Sequence, residues 1–181
     1  DLSNNHLNRL NNPHFFSHLK QLESLKLINC HLISINRCSF RKLTHLKKLD
    51  LSNNQLKSLG DDLLVDQREL HFLSLRNNQL DFLNLKNLLY RTEKLEVLLL
   101  SNNNLDDESI NERAFESCSL SLKYLTLQNN RLSRFDFLLE LKCLTIVKLK
   151  NNKCRKLSVD QKRNLKSVRF SSRKCQEICQ H

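Results

Sequence analysis

Three features of the chain carry residue types that could do chemistry. The tail "CQEICQH" places Cys175, Cys179 and His181 close together, and these are soft ligands of the kind that hold zinc. Their spacing is loose and fits no established zinc pattern. The stretch "DDES" at 106–109 gathers three carboxylates, which suit a hard cation. It falls in the longest step between repeated motifs, where an inserted, solvated turn belongs. The seven His, at 6, 14, 18, 31, 45, 71 and 181, could act as general bases. None stands at a recurring spacing from a Cys or Ser. Acid, base and nucleophile do not converge. No catalytic residue, cofactor or metal is therefore assigned, and the chain reads as non-enzymatic.

The elements that would position a site come from a repeat. "LDLSNNQL" occupies 49–56, and "DLSNNHL" opens the chain. "LSLRNNQL" (73–80), "LLLSNNNL" (98–105) and "LTLQNNRL" (125–132) follow. With the second Asn as position 12 of each unit, it falls at Asn5, Asn54, Asn78, Asn103, Asn130 and Asn152, and Cys30 replaces it once. The steps are 25, 24, 24, 25, 27 and 22 residues. Positions 4, 7, 9 and 14 are apolar: Leu46, Leu49, Leu51 and Leu56 in one unit, Leu95, Leu98, Leu100 and Leu105 in another. A looser unit carries Leu144, Val147, Leu149 and Cys154, and an eighth reads as Leu165, Val168, Phe170 and Cys175. Alternation around the central leucines is the period of a short strand with one buried face. Such strands need neighbours. Stacked coils supply them as one parallel sheet over one leucine core. The position-12 amide then serves backbone groups of its own coil and the next.

This pattern resembles the leucine-rich repeat family over essentially the whole chain. The resemblance implies an α/β repeat solenoid: a curved horseshoe with one parallel β-sheet on its concave face and a C-terminal cap. About seven or eight strands are expected, with little helix, concentrated in the cap. The spacing, with a late Phe in the unit (Phe16, Phe40, Phe115), is similar to the typical subclass of animal extracellular receptors. The 22-residue sixth unit looks more like the subclass of intracellular scaffolds.

Composition agrees with a repeat array and excludes other classes. The 181 residues include one Gly and one Pro, and no Gly-rich phosphate loop is present. No apolar run is long enough to span a membrane. The chain begins inside a motif and is expected to be part of a longer one. Thirty Lys and Arg against nineteen Asp and Glu give a net charge of +11. The charges are scattered, as on a solvated surface, yet a basic balance favours acidic partners.

Two divisions are expected: repeats over 1–152, and a degenerate last repeat with the cap over 153–181. The cap covers the exposed end of the core. Cys154 and Cys175 both count as position 14 of adjacent coils. Parallel strands lie about 4.8 Å apart, within the span of a disulfide. Cys154–Cys175 is one pairing, and Cys154–Cys179 is another. Seven Cys leave one unpaired, available for an intermolecular disulfide.

Positions 5, 6, 8, 10 and 11 project from the open face. Position 6 reads Ser24, Lys48, Phe72, Val97, Tyr124 and Ile146, and position 8 adds Leu99. The expected partner-binding stripe is Phe72, Val97, Leu99, Tyr124 and Ile146, bordered by Lys48, Arg76 and Lys148. Apolar patches and aromatic anchors mark interaction surfaces. The implied partner is a protein ligand or co-receptor of acidic character, met at the cell surface or outside the cell. An intracellular scaffold and a polyanion binder are the competing readings.

Overall fold

The computed structural model describes residues 1–81, 83–110 and 113–153, and the backbone of 169–170. The chain is a solenoid whose coils, from the second onward, each contribute one short strand to a main sheet. The strands are β1 Arg9–Leu10, β2 Ser24–Lys26, β3 Ser34–Ile35, β4 Lys48–Asp50, β5 Phe72–Ser74, β6 Val97–Leu99, β7 Tyr124–Thr126, β8 Ile146–Lys148 and β9 Arg169–Phe170. Seven of them form one parallel sheet in the order β2-β4-β5-β6-β7-β8-β9. The other two, β1 and β3, pair separately as a two-stranded sheet. The first coil still reaches the main sheet, because Leu2 N donates to Lys26 O and Asn4 N to Ile28 O.

The inward register is as the repeat demands. Leu27, Leu51, Leu75, Leu100 and Leu127 are buried one above another in a continuous apolar core. Leu22, which stands at the apolar position 4 of the second unit, is only half-buried at the edge of that core. Phe16 stacks on Phe40, with ring centroids 6.0 Å apart, and Phe115 packs on Phe137 at 5.3 Å. A full side chain buried in this way stabilises by about 1.5–3 kcal/mol, so the ladder of leucines carries most of the fold.

The position-12 amides bridge coils, with one correction to the expected direction. Asn103 Nδ2 donates to Leu100 O (3.1 Å) in its own coil and to Leu75 O (3.0 Å) in the preceding coil. Its Oδ1 accepts from Leu80 N (3.1 Å), also of the preceding coil. Asn54, Asn78 and Asn130 repeat the arrangement. The tie therefore runs backward along the chain, not forward. Cys30, in the same place, makes the weaker substitute: its thiol donates to Leu2 O at 3.1 Å.

A second amide row runs beside the first. The residue before position 12 is Asn4, Asn29, Asn53, Asn77, Asn102, Asn129 or Asn151, and each has positive φ, between 55° and 63°. Asn tolerates the left-handed region far better than most residues. In a chain with one Gly, which does not have positive φ, Asn takes over this turning role. The side chains of these residues also bond to one another. Asn77 donates to Asn53 (2.5 Å), Asn102 to Asn77 (2.5 Å) and Asn151 to Asn129 (2.6 Å), and Asn129 donates to Asn102.

Helix is minor among the described residues. The helix α1 at Leu85–Leu88, whose first turn is capped by the Asn84 side chain, and 3-10 turns at Glu116–Cys118 and Asp136–Leu139 occupy the return segments of three coils. The expected helical turn of the cap lies outside the described residues. So do Cys154, Cys175 and Cys179. The last strand corrects the register of the eighth unit: Arg169 pairs with Ile146, and Phe170, not Val168, with Val147.

Candidate protein-binding face

Parallel, in-register pairing turns one sequence position into a row. Ser24, Lys48, Phe72, Val97, Tyr124 and Ile146 are successive partners across six strands. Strand neighbours are about 4.8 Å apart, so Phe72, Val97, Tyr124 and Ile146 form an unbroken apolar run. All four are half-buried, because close neighbours shade one another while leaving part of each side chain in solvent. Leu99 belongs to the next row, Asp50, Ser74, Leu99, Thr126 and Lys148. Ser74 and Thr126, on either side of Leu99, are buried. So are Ser52 and Ser101 at position 10. Not every outward position of the sheet is therefore open. Small side chains sink between larger ones, and the accessible surface is carried by the bulky residues.

The electrostatics sort the basic residues into two groups. Lys47 bonds Glu23 at 2.6 Å, and Lys123 bonds Glu96 at 2.9 Å. These lysines hold the Glu23 and Glu96 carboxyls below their ordinary range. Their charge is spent locally. Lys48 and Arg76 are exposed and make no ion pair among the described residues. Lys48 is the strand partner of Phe72. Lys148 is half-buried, and its ammonium lies 5.4 Å from the centroid of the Tyr124 ring, within cation–π range. A hollow of about 200 Å³ opens beside the stripe, lined by Ser24, Leu25, Lys26, Lys48, Asp50 and Phe72. Sequence periodicity could not reveal it, because it lies where the row passes from small Ser24, by way of Lys48, to bulky Phe72.

Comparison with known proteins accords with this geometry. Residues 20–80 match the family model described as leucine rich repeat, and residues 94–118 match a second model of the same description. The chain superposes on a solved structure of the LRIM1/APL1C complex with a TM-score of 0.76 and 27% identity, covering 82% of this chain and 27% of that one. The chain belongs to the leucine-rich repeat family. Among curated relatives, podocan of Mus musculus is 33% identical over 134 residues, which are 62% of this chain and 21% of podocan. The acidic leucine-rich nuclear phosphoprotein 32 family member A of Drosophila pseudoobscura pseudoobscura is 40% identical over 82 residues, 45% of this chain and 30% of that protein. The leucine-rich repeat chain thus spans well under two thirds of the relatives it matches.

The acidic stretch at 106–109 has structural work in this leucine-rich repeat. Asp106 Oδ1 accepts from Glu108 N and Ser109 N, closing its own turn. Asp107 reaches the next coil, accepting from Ser133 N at 2.7 Å, from Arg134 N at 3.0 Å and from the Ser133 hydroxyl. Burial raises the Asp107 pKa, but these hydrogen bonds outweigh it and hold the carboxyl below its ordinary value. The "DDES" stretch is a clamp between coils. A larger open cleft of about 700 Å³ lies around Tyr90, Arg91 and Arg68. Two of its lysines are already engaged, Lys94 with Glu69 and Lys86 with Glu116. It is the more compensated of the two surfaces. Among the described residues no helix is long and apolar enough to cross a membrane.

Proposed function

We propose that this leucine-rich repeat is a non-catalytic recognition module that binds a protein partner across its concave face. The observation that carries the reading is the unbroken row Phe72–Val97–Tyr124–Ile146, with Leu99 beside it. Apolar side chains at outward strand positions add little to the fold, and their burial against a partner would be favourable. Tyr124 and Phe72 are the anchors, and Lys48, Arg76 and Lys148 select a partner of acidic character. We place the module outside the cell or at its surface, in innate immunity or cell-surface recognition, as a ligand-binding or co-receptor element. Its support is the repeat length, near 24 residues, and the likeness to a solved complex of repeat proteins. A photo-crosslinker placed at Val97 or at the outward Leu120 tests the face. A partner from native fluid should be trapped from Val97 and not from Leu120, and trapping should fail when Tyr124→Ala is also present. Equal trapping from both positions would remove the reading.

A second reading, an intracellular scaffold, has its own observation. The four described cysteines, Cys30, Cys38, Cys118 and Cys143, form no disulfide, and one relative is a nuclear phosphoprotein by name. Thiol counting decides between the two readings.

A further inference from the structure

We propose that His6 and His31 form a binding site for an imidazole-preferring divalent transition-metal ion, zinc or copper, that clasps the first coil to the second. The two residues occupy position 13 of adjacent coils and lie 25 residues apart in sequence. Stacking brings their Nδ1 atoms to 3.2 Å, on the exposed surface. Two nitrogens that each bind a tetrahedral zinc at about 2.0–2.1 Å are about 3.3 Å apart. The observed separation is therefore that of two ligands sharing one ion. The ring centroids are 4.4 Å apart, farther than the nitrogens, so the two Nδ1 edges converge.

The backbone supports a built arrangement. His31 has φ 55°, in the left-handed region. The same position in the first coil, His6, and in the next three, Gln55, Gln79 and Asn104, does not have positive φ. The turn at His31 is thus particular to the second coil, and the third coil onward carries no ring at this position. Both rings must be neutral to offer lone pairs to the ion. Solvent exposure leaves water free to complete the coordination shell. Among the described residues no third His, Cys, Asp or Glu joins the pair, so the site is bidentate and modest in affinity. Imidazole pairs favour copper over zinc and ignore magnesium.

The test is titration calorimetry of the full chain with Zn²⁺, Cu²⁺ and Mg²⁺, repeated on His6→Gln and His31→Gln. Glutamine already stands at this position in the third and fourth coils, at Gln55 and Gln79, so both variants should fold. Each should bind one fewer zinc or copper ion than the parent, or bind it at least tenfold more weakly, while magnesium gives no heat. Electron paramagnetic resonance of the copper form should show two-nitrogen coordination that is lost in either variant. Sites elsewhere, including the Cys175, Cys179 and His181 tail, would appear equally in parent and variants. Identical stoichiometry and affinity in all three proteins would overturn the proposal and leave the pair as a hydrogen bond only.

Discussion

The ammonium of Lys148 lies 5.4 Å from the centroid of the Tyr124 ring, one strand away on the same face of the sheet. The contact orients the ring and leaves it half-exposed at the centre of the apolar row. It gives the two residues separable roles. Tyr124→Ala should weaken partner binding by about 2 kcal/mol or more, as for an aromatic anchor. Its stability should change by no more than about 0.5–1 kcal/mol, since little beyond a partly exposed cation–π contact is lost. Lys148→Glu should instead slow association and change its salt dependence. Surface plasmon resonance at two ionic strengths, with thermal melts alongside, checks both. A Tyr124→Ala protein that does not fold would make the row structural.

Leu100 is fully buried beneath the sheet. Leu100→Ala should cost about 2–5 kcal/mol by leaving a cavity between coils. Urea unfolding measures it, and a parent-like midpoint would mean that the register is wrong.

The two amide rows make different predictions. Asn103→Ala strips four backbone groups of their partner, and a cost of about 1–3 kcal/mol is expected. Asn102→Ala loses the exposed bonds to Asn77 and Asn129 and puts a Cβ-bearing residue at φ 58°. Asn102→Gly loses the same bonds without the steric penalty. Alanine should therefore be less stable than glycine by about 1 kcal/mol. If the two melt together, the conformational role assigned to this Asn row is refuted.

Acid should weaken the joints between coils. Glu23, Glu69 and Glu96 are held low by hydrogen-bonded Lys47, Lys94 and Lys123. Asp107 is held low by the Ser133 and Arg134 hydrogen bonds against the opposing effect of burial. A carboxyl depressed on folding stabilises above its unfolded pKa, near 4, and this stabilisation is lost as pH falls through the lower folded value. The melting temperature should hold steady from about pH 7 to about pH 5 and fall below about pH 4. Asp107→Asn, which cannot titrate, should show a shallower fall. Parallel curves would rule out this clamp as a pH-linked contact.

Thiol reactivity should follow burial. Cys118 is buried, and desolvation pushes its thiol up to about 12, so almost none is ionised at neutral pH. Cys143 is exposed. A thiol reagent should label Cys143 in the native chain and Cys118 only on unfolding. Under denaturing, non-reducing conditions the extracellular reading expects fewer than seven reactive thiols, and all seven would favour the scaffold.

Much of this protein was legible without coordinates. Leucines at positions 4, 7, 9 and 14 could bury themselves only by stacking coil on coil, so periodicity determined the parallel sheet, the core list and the outward row at Phe72, Val97, Tyr124 and Ile146. Each is a local rule repeated, and repetition converts it into long-range order. What the period could not carry was decided by contacts between coils. The direction of the Asn103 tie depends on which neighbour offers free carbonyls. The burial of Ser74 and Thr126 depends on the bulk of the side chains alongside, and the hollow beside Phe72 on the smallness of Ser24. The two-residue shift that sets Phe170 opposite Val147 preserves the alternation of faces, so the hydrophobic pattern alone does not distinguish it. The meeting of His6 with His31 likewise arises because stacking, not sequence proximity, places two residues 25 apart at hydrogen-bond distance.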